Sequence, residues 1–242
     1  MTSTPPSDFT LSGYRALMTA LGGRGYVATG FADAQPEAKH LILRHDVDMS
    51  LDAAVALAEV EAEMGLSAHY FVLLRSELYN PLSPAAVAAM QRLSSLGHRI
   101  GLHFDAAAHA VGAIDRAVEG ECAVLESLTG RPVTMVSFHR PAPELLGHAA
   151  PLGGRAHAYQ PRFFSDMGYC SDSRGRWGHG HPLEHPAVAE GRALQLLTHP
   201  IWWTREVGEG VVPRLDRFVG ERTEVLRTEL AANCEPYRQA RS

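Results

Sequence analysis

The residues best suited to chemistry are aspartates and histidines that end or directly follow short apolar runs. They are Asp46, Asp48, His103 and His199. Asp46 and Asp48 differ by two positions, so an extended chain would point both carboxylates to the same side. Two carboxylates that close repel each other unless a cation or a shared proton lies between them. This spacing predicts a divalent metal bound by one carboxylate, with the other free to act as a base.

Each of these residues also has an ordinary structural interpretation. Asp48 lies close to the start of the next expected helix, where a short acidic residue is a common cap. His103 could be a core histidine bonded to a backbone carbonyl, and the pair His199-Pro200 is common in turns. Capping leaves Asp46 unexplained, however. A histidine from a second strand beside the two aspartates favours the metal site.

Short β-rich runs alternate with helical stretches along the chain, which predicts parallel strands joined by helical crossovers. The predicted strands cover residues 40–45, 69–74, 99–103, 133–139, 169–171 and 193–198. The predicted helices between them cover residues 51–64, 83–96 and 114–128. Residues 151–185 form a turn-rich stretch without repeats.

Two architectures suit this alternation, a βα barrel and a doubly wound sheet. A doubly wound nucleotide-binding fold needs a glycine-rich turn after its first strand, whereas the first strand here ends in His-Asp-Val-Asp. The polar residues follow several strands, as in a barrel that builds its site at their carboxyl ends. We therefore predict one α/β barrel domain over residues 1–242, with a core at 39–205 and packed terminal helices at 10–22 and 213–232.

Composition and charge exclude several classes of protein. The 242 residues carry 22 basic and 27 acidic side chains, so the chain lacks the basic excess that nucleic acid or anionic lipid requires. No stretch approaches the roughly 20 apolar residues of a membrane helix, and no secretory signal is recognisable. The 3 separated cysteines exclude a disulfide framework and a Cys-rich zinc site. We expect a soluble cytoplasmic protein of undetermined oligomeric state.

Four motifs, in their order and spacing, resemble those of the polysaccharide deacetylase (NodB-homology) superfamily, which is related to carbohydrate esterase family 4. They are His45-Asp46-Val47-Asp48, Gly101-Leu102-His103, His139-Arg140-Pro141 and Leu197-Thr198-His199-Pro200. The similarity spans residues 41–203. It implies a distorted (β/α)7 barrel that removes N-acyl groups from amino sugars. It also implies a divalent metal, usually zinc, with cobalt, nickel or iron(II) as alternatives.

The resemblance also implies roles for individual residues. Asp46 matches the general base, Asp48 the metal-binding aspartate, and His103 the first metal-binding histidine. Arg140 matches the arginine that holds the base, and His199 matches the histidine that acts as the general acid. Together these parts imply metal-assisted hydrolysis of an amide.

The chain departs from the family pattern at one metal ligand. The family places a second histidine four residues after the first, and this position is Ala107 here. A catalytic zinc needs three protein ligands and an open position, so the third ligand must come from elsewhere. The candidates are His109, His139 and Asp105, and the sequence does not choose between them.

Five further side chains are predicted to contact the substrate. Arg75, Tyr79 and Asn80 follow the second strand and suit hydroxyl groups or an anion, while Trp177 and Trp202 offer rings that stack on sugars. The predicted substrate is a small N-acylated amino sugar or sugar conjugate. The alternatives are a hydrolase of non-carbohydrate amides and a non-catalytic relative that binds a glycan or small ligand. The departure at Ala107 keeps this last alternative open.

Overall fold

The structure of the chain is a computed structural model that describes residues 9–178, 180–203 and 209–241, apart from the side chain of Val111. The chain divides into two compact units, residues 1–205 and residues 206–242. All of the motif residues belong to the first unit. No helix in the described ranges is long and apolar enough to cross a lipid bilayer.

Eight strands form one sheet in the described part of the first unit, and the ladders between them are parallel. The strands are β1 (Val27–Ala28), β2 (His40–Val47), β3 (His69–Leu73), β4 (Arg99–Phe104), β5 (Met135–Phe138), β6 (Ala156–His157), β7 (Gly168–Ser171) and β8 (Leu194–Thr198). Their order is β6-β5-β4-β3-β2-β8-β7, and β1 pairs with β2 outside this path. The seven strands of the path form a half-barrel, which confirms the predicted α/β class and the distorted (β/α)7 barrel.

Helices flank the strands of the first unit. They are α1 (Leu11–Gly23), α2 (Leu51–Glu63), α3 (Pro84–Ser95), α4 (Ile114–Thr129), α5 (Pro161–Phe164) and α6 (Pro186–Glu190). Hydroxyl side chains of Thr10, Ser50 and Ser83 accept a backbone N–H at the starts of α1, α2 and α3. Gly130, in the left-handed region at φ 65°, ends α4. In the second unit, α7 (Val211–Asn233) and α8 (Glu235–Gln239) cover the stretch where a C-terminal helix is predicted.

Alternation along β2 decides which of its side chains face the site. Arg44 and Asp46 lie on one side of the strand and contact each other. His45, between them, points to the other side and contacts Glu61 of α2. One short segment therefore supplies both the inner and the outer contacts of the region around the two aspartates.

Two strands are missing from the sequence prediction. Both β1 and β6 have only two residues, too few to show the alternation that identifies a strand. The strand β6 lies in the turn-rich stretch 151–185, yet it completes the path beside β5. The predicted strand 133–139 is shorter in the structure, at Met135–Phe138.

Gly101 lies in the middle of β4, where the barrel leaves no room for a side chain. A Cβ at this position would lie 2.5 Å from ring atoms of Phe71 and 3.0 Å from the carbonyl oxygen of Met135. We expect Gly101→Ala to lower the free energy of unfolding by about 1–3 kcal/mol, because neighbouring groups must shift. Urea denaturation measures this change.

Gly120 provides a control of opposite sign. It is exposed in α4, and a Cβ there would meet nothing within 4 Å. Gly120→Ala should raise the free energy of unfolding by roughly 1 kcal/mol, because alanine has the higher helix propensity. A Gly101→Ala protein as stable as the wild type would contradict the packing described for β4.

Candidate active site

A cleft of about 780 Å³ opens where the strands of the half-barrel end. Its lining includes five residues that the sequence motifs place at strand ends: Asp46, Asp48, His103, His139 and His199. They come from or directly follow β2, β4, β5 and β8. Parallel strands present their carboxyl ends at the same edge, so the fold assembles residues that are far apart in sequence.

Three of these residues bring potential metal ligands together. Oδ1 of Asp48 lies 3.0 Å from Nε2 of His103 and 3.4 Å from Nδ1 of His139. One ligand atom from each residue lies within 4.8 Å of the other two. Zinc–ligand bonds of about 2.0–2.2 Å place neighbouring donor atoms of a tetrahedral site about 3.3–3.6 Å apart. The set therefore fits a divalent cation, and His139 is the candidate for the third ligand.

Hydrogen bonds behind His103 fix which of its nitrogens faces Asp48. Ser137 donates to Oδ1 of Asp46 at 3.1 Å, so the serine oxygen accepts from Nδ1 of His103 at 2.6 Å. Nε2 of His103 is then the ring nitrogen that faces Oδ1 of Asp48, 3.0 Å away. That oxygen is buried and has no hydrogen bond within the described ranges. A buried carboxylate oxygen beside ring nitrogens of two histidines is a suitable set of donor atoms for a cation.

Asp48 is held as a carboxylate. Burial raises its pKa, but the contacts with His103 and His139 and the charge of His199 lower the pKa well below the usual range. Helix capping does not account for Asp48, because the backbone N–H that a cap would satisfy is bonded to Ser50 at 3.1 Å.

The other two candidates for the third ligand are engaged elsewhere. Nε2 of His109 lies 3.1 Å from Oε1 of Glu121, and its ring stacks on Phe104 at 5.0 Å. Asp105 accepts a hydrogen bond from the backbone N–H of Ala107 at 3.1 Å. Neither side chain joins the triad, which corrects the prediction of His109 as a ligand and leaves His139 as the candidate for the third position.

Asp46 is held by Arg44. Nε and Nη2 of Arg44 donate to the two carboxylate oxygens at 3.0 and 2.8 Å, and both side chains are buried. Two further contacts fix the guanidinium, at 3.2 Å from Oε1 of Gln195 and 3.0 Å from the hydroxyl of Tyr159. Burial raises the pKa of Asp46, whereas the charge of Arg44 lowers it, and the net pKa lies below its usual value.

The role that the resemblance implies for Arg140 is therefore corrected. Arg140 is exposed, with φ at 48°, and it forms no hydrogen bond or ion pair within the part of the chain that the structure describes. The sequence does contain the information. Arg44 precedes Asp46 by two residues on the same strand, and this spacing places both side chains on one face.

His199 is oriented by Asp172, which the sequence analysis missed. Oδ1 of Asp172 lies 2.7 Å from Nδ1 of His199, and Oδ2 accepts from Nε1 of Trp203 at 2.8 Å. Nε2 of His199 is left towards the cleft, 3.9 Å from Oδ2 of Asp48. Burial lowers the pKa of His199, but the hydrogen bond and charge of Asp172, with the charges of Asp48 and Asp46, raise it to about 9. The imidazole can therefore hold a proton on Nε2.

Two of the five predicted substrate contacts line the cleft, namely Arg75 and Trp202. Nε of Arg75 donates to Oε1 of Glu121 at 2.6 Å, which fixes an otherwise exposed side chain at the cleft. Trp202 is buried, so it contributes a fixed wall rather than a mobile ring.

The other three serve local structure. The hydroxyl of buried Tyr79 donates to the carbonyl oxygen of Val47 at 2.9 Å. Asn80 accepts a backbone N–H two residues further along at 3.0 Å. The ring of Trp177 packs 5.6 Å from that of Phe9. None of the three lines the cleft, which corrects the predictions that placed them at the substrate.

No protein-family model and no curated protein sequence matches the chain. A solved family 4 carbohydrate esterase from Bacillus anthracis matches at 16% identity and a TM-score of 0.43, over 86% of each chain. A family 4 acetyl xylan esterase from Clostridium thermocellum, in complex with a cobalt ion, matches at 15% identity and 0.38, over 76% of this chain and 83% of that chain. A CE4 family pseudoenzyme from Bacillus anthracis matches at 12% identity and 0.42, over 78% of this chain and 62% of that chain. These structures bear the family name that the motifs suggest.

The triad predicts which substitutions remove the metal. We expect wild-type protein, purified without chelator or His-tag, to hold about one divalent ion per chain, and His103→Ala and His139→Ala to lose it. Mass spectrometry of the metal content measures this. His109→Ala is the matched control, because its ring contacts Glu121 instead, and it should keep the metal. Loss in His109→Ala with retention in His139→Ala would show that the wrong third ligand is assigned.

The ion pair predicts a difference between two arginines. Arg44→Met leaves the carboxylate of Asp46 buried without its partner, and this should lower the free energy of unfolding by about 3–5 kcal/mol. Arg140→Met changes an exposed side chain and should alter it by no more than about 0.5 kcal/mol. Urea denaturation of both variants measures the difference. The opposite ranking would restore Arg140 as the partner of Asp46.

Proposed function

We propose that the chain is a metal-dependent hydrolase that removes an N-acyl group from a small amino sugar or sugar conjugate. The acyl group that we expect is acetyl. One observation carries this proposal. The facing donor atoms of Asp48, His103 and His139 share a cleft with an ionised Asp46 and with His199. A metal site, a base and an acid in one cleft are what hydrolysis of an amide requires.

The triad would hold the metal. Two imidazoles and a carboxylate suit zinc, which we expect, and also cobalt, nickel and iron(II). When bound, such an ion acidifies water and polarises the acyl carbonyl. The second carboxylate of the pair, Asp46, stays outside the triad and remains available for proton transfer.

Asp46 would act as the general base. Its Oδ1 accepts from Arg44 and Ser137, and its Oδ2 accepts from Arg44. A carboxylate has about four acceptor positions, so one on Oδ2 remains for a proton from water. The Arg44 fork keeps the group ionised and fixes its direction, as a base in a cleft needs.

His199 would act as the general acid. Oδ1 of Asp172 accepts a hydrogen bond from Nδ1 of His199. The proton that the imidazole can release therefore lies on Nε2, on the cleft side. An amide nitrogen is a poor leaving group until it is protonated, and His199 supplies that proton. A protein that only binds a ligand has no use for this arrangement, which favours the enzyme over the non-catalytic alternative.

The lining of the cleft supports a small polar substrate. Arg75, Arg140 and Arg174 add hydrogen-bond donors, and Trp202 adds an aromatic wall. Such a mixture suits a sugar ring, which combines hydroxyl groups with apolar faces. The cleft volume of about 780 Å³ is within the range of small-molecule sites.

Asp46→Asn tests the proposal. We expect zinc-loaded wild-type protein to release acetate from members of a panel of N-acetylated amino sugars and their phosphates. In Asp46→Asn, kcat should fall by about 10²- to 10⁴-fold, because the amide cannot take the proton, while the metal content stays unchanged. An enzyme-coupled acetate assay measures both proteins.

Asp52→Asn is the matched control, because Asp52 is exposed in the first turn of α2 and lies outside the cleft. Its activity should equal that of the wild type. The proposal fails if metal-loaded wild-type protein releases no acetate from any member of the panel, or if Asp46→Asn remains fully active.

A further inference from the structure

A buried carboxylate lies behind β2, on the side away from the cleft. Glu61 of α2 is fully buried and accepts hydrogen bonds from the hydroxyls of Tyr14 at 2.5 Å and Tyr70 at 2.6 Å, and from Nε2 of His45 at 2.8 Å. Nδ1 of His98 lies 3.7 Å from its Oε2. Burial raises the pKa of Glu61, but the charge of His45 and these hydrogen bonds lower it. Glu61 is therefore a buried carboxylate that three hydrogen-bond donors hold in place.

His45 connects Glu61 to a residue of β8. Because a carboxylate only accepts, Nε2 of His45 donates to Glu61, and Nδ1 of the same ring is hydrogen-bonded to the hydroxyl of Thr198, 2.6 Å away. His45 is also in register with Tyr70 on β3 and with Thr198 on β8. A buried chain of hydrogen bonds therefore runs from α2 through β2 to β8.

The two strand residues joined by this hydrogen bond each directly precede a residue of the proposed site. His45 precedes Asp46, and Thr198 precedes His199. The side-chain bond between His45 and Thr198 therefore links β2 to β8 at the point where the base and the acid leave the sheet. A displacement of about 1 Å at such groups can cost a factor of about 100 in rate.

We propose that Glu61 is a positioning residue: through His45 it sets the spacing between the base and the acid of the site. This inference rests on the proposed function and adds to it a residue outside the cleft. Glu61 does not line the cleft, so its influence falls on the chemical step and not on substrate binding.

Glu61→Gln tests this with little change of shape. The amide loses one acceptor oxygen, so it cannot satisfy all three donors. We expect kcat for an N-acetylated amino sugar to fall by about 10- to 100-fold, with KM within about twofold of the wild type and an unchanged metal content. Glu63→Gln is the matched control on the same helix, because Glu63 is exposed, and its kcat should be unchanged.

Substitutions at Thr198 test the other end of the chain and cover the case in which Glu61→Gln does not fold. Thr198→Val keeps the shape and removes the hydroxyl, whereas Thr198→Ser keeps the hydroxyl. We expect Thr198→Ser to retain most of the kcat that Thr198→Val loses. A merely structural network would lower Tm and leave kcat of the folded, metal-loaded enzyme intact. Wild-type kcat in Glu61→Gln and Thr198→Val would overturn the proposal.

A measurement without turnover separates this inference from the proposed function. In zinc-loaded protein labelled with ¹⁵N-histidine, His199→Gln assigns the ring signals of His199 in long-range ¹H–¹⁵N spectra. Glu61→Gln should shift these signals, although Glu61 makes no contact with His199, and Glu63→Gln should not. Shifted signals in a protein without turnover would support the link while the hydrolase proposal fails. Unshifted signals in an active protein would overturn the link alone.

Discussion

The carboxylate of Asp48 lies 3.0 Å from Nε2 of His103, and the site is organised around this contact. Nδ1 of His139 lies 3.4 Å from the same carboxylate oxygen, so the three residues can share one cation. The hydrogen bonds behind His103 fix its orientation. The hydroxyl of Ser137 donates to Asp46, so its oxygen can only accept from Nδ1 of the ring. The aspartate that accepts from Ser137 is the proposed base, so the orientation of His103 and the position of the base share one buried set of hydrogen bonds.

Buried charge is balanced locally throughout this region. Asp46 has the Arg44 fork, and Asp172 has His199 and Trp203. Removing one partner of such a pair costs much more free energy than the pair contributes to stability. Pairing therefore explains why these groups keep fixed positions without strong net stabilisation. Because side chains alternate along β2, Arg44 and Asp46 lie on its inner face, whereas His45 lies on its outer face and contacts α2.

Sequence reasoning identified the features that depend on periodicity and strand ends. The alternation of strands and helices predicted the barrel. The positions of Asp46, His103 and His199 at the ends of apolar runs predicted where the cleft lies. The sequence does not predict β6, because two residues show no period. The two-residue spacing that relates Asp46 to Asp48 also relates Arg44 to Asp46, so the sequence contained the signal for this ion pair. The sequence does not choose between His109 and His139, because a short 3-10 turn at Ala106–Ala108 directs the former away from the cleft.

The most direct test of the metal centre is crystallography at the zinc absorption edge, on crystals grown with zinc and without chelator. We expect an anomalous peak within bonding distance, about 2.0–2.2 Å, of Oδ1 of Asp48, Nε2 of His103 and Nδ1 of His139. A fully occupied peak on other residues would contradict the assignment. So would the absence of any peak in the cleft at saturating zinc, because the three donor atoms would then not form a metal site.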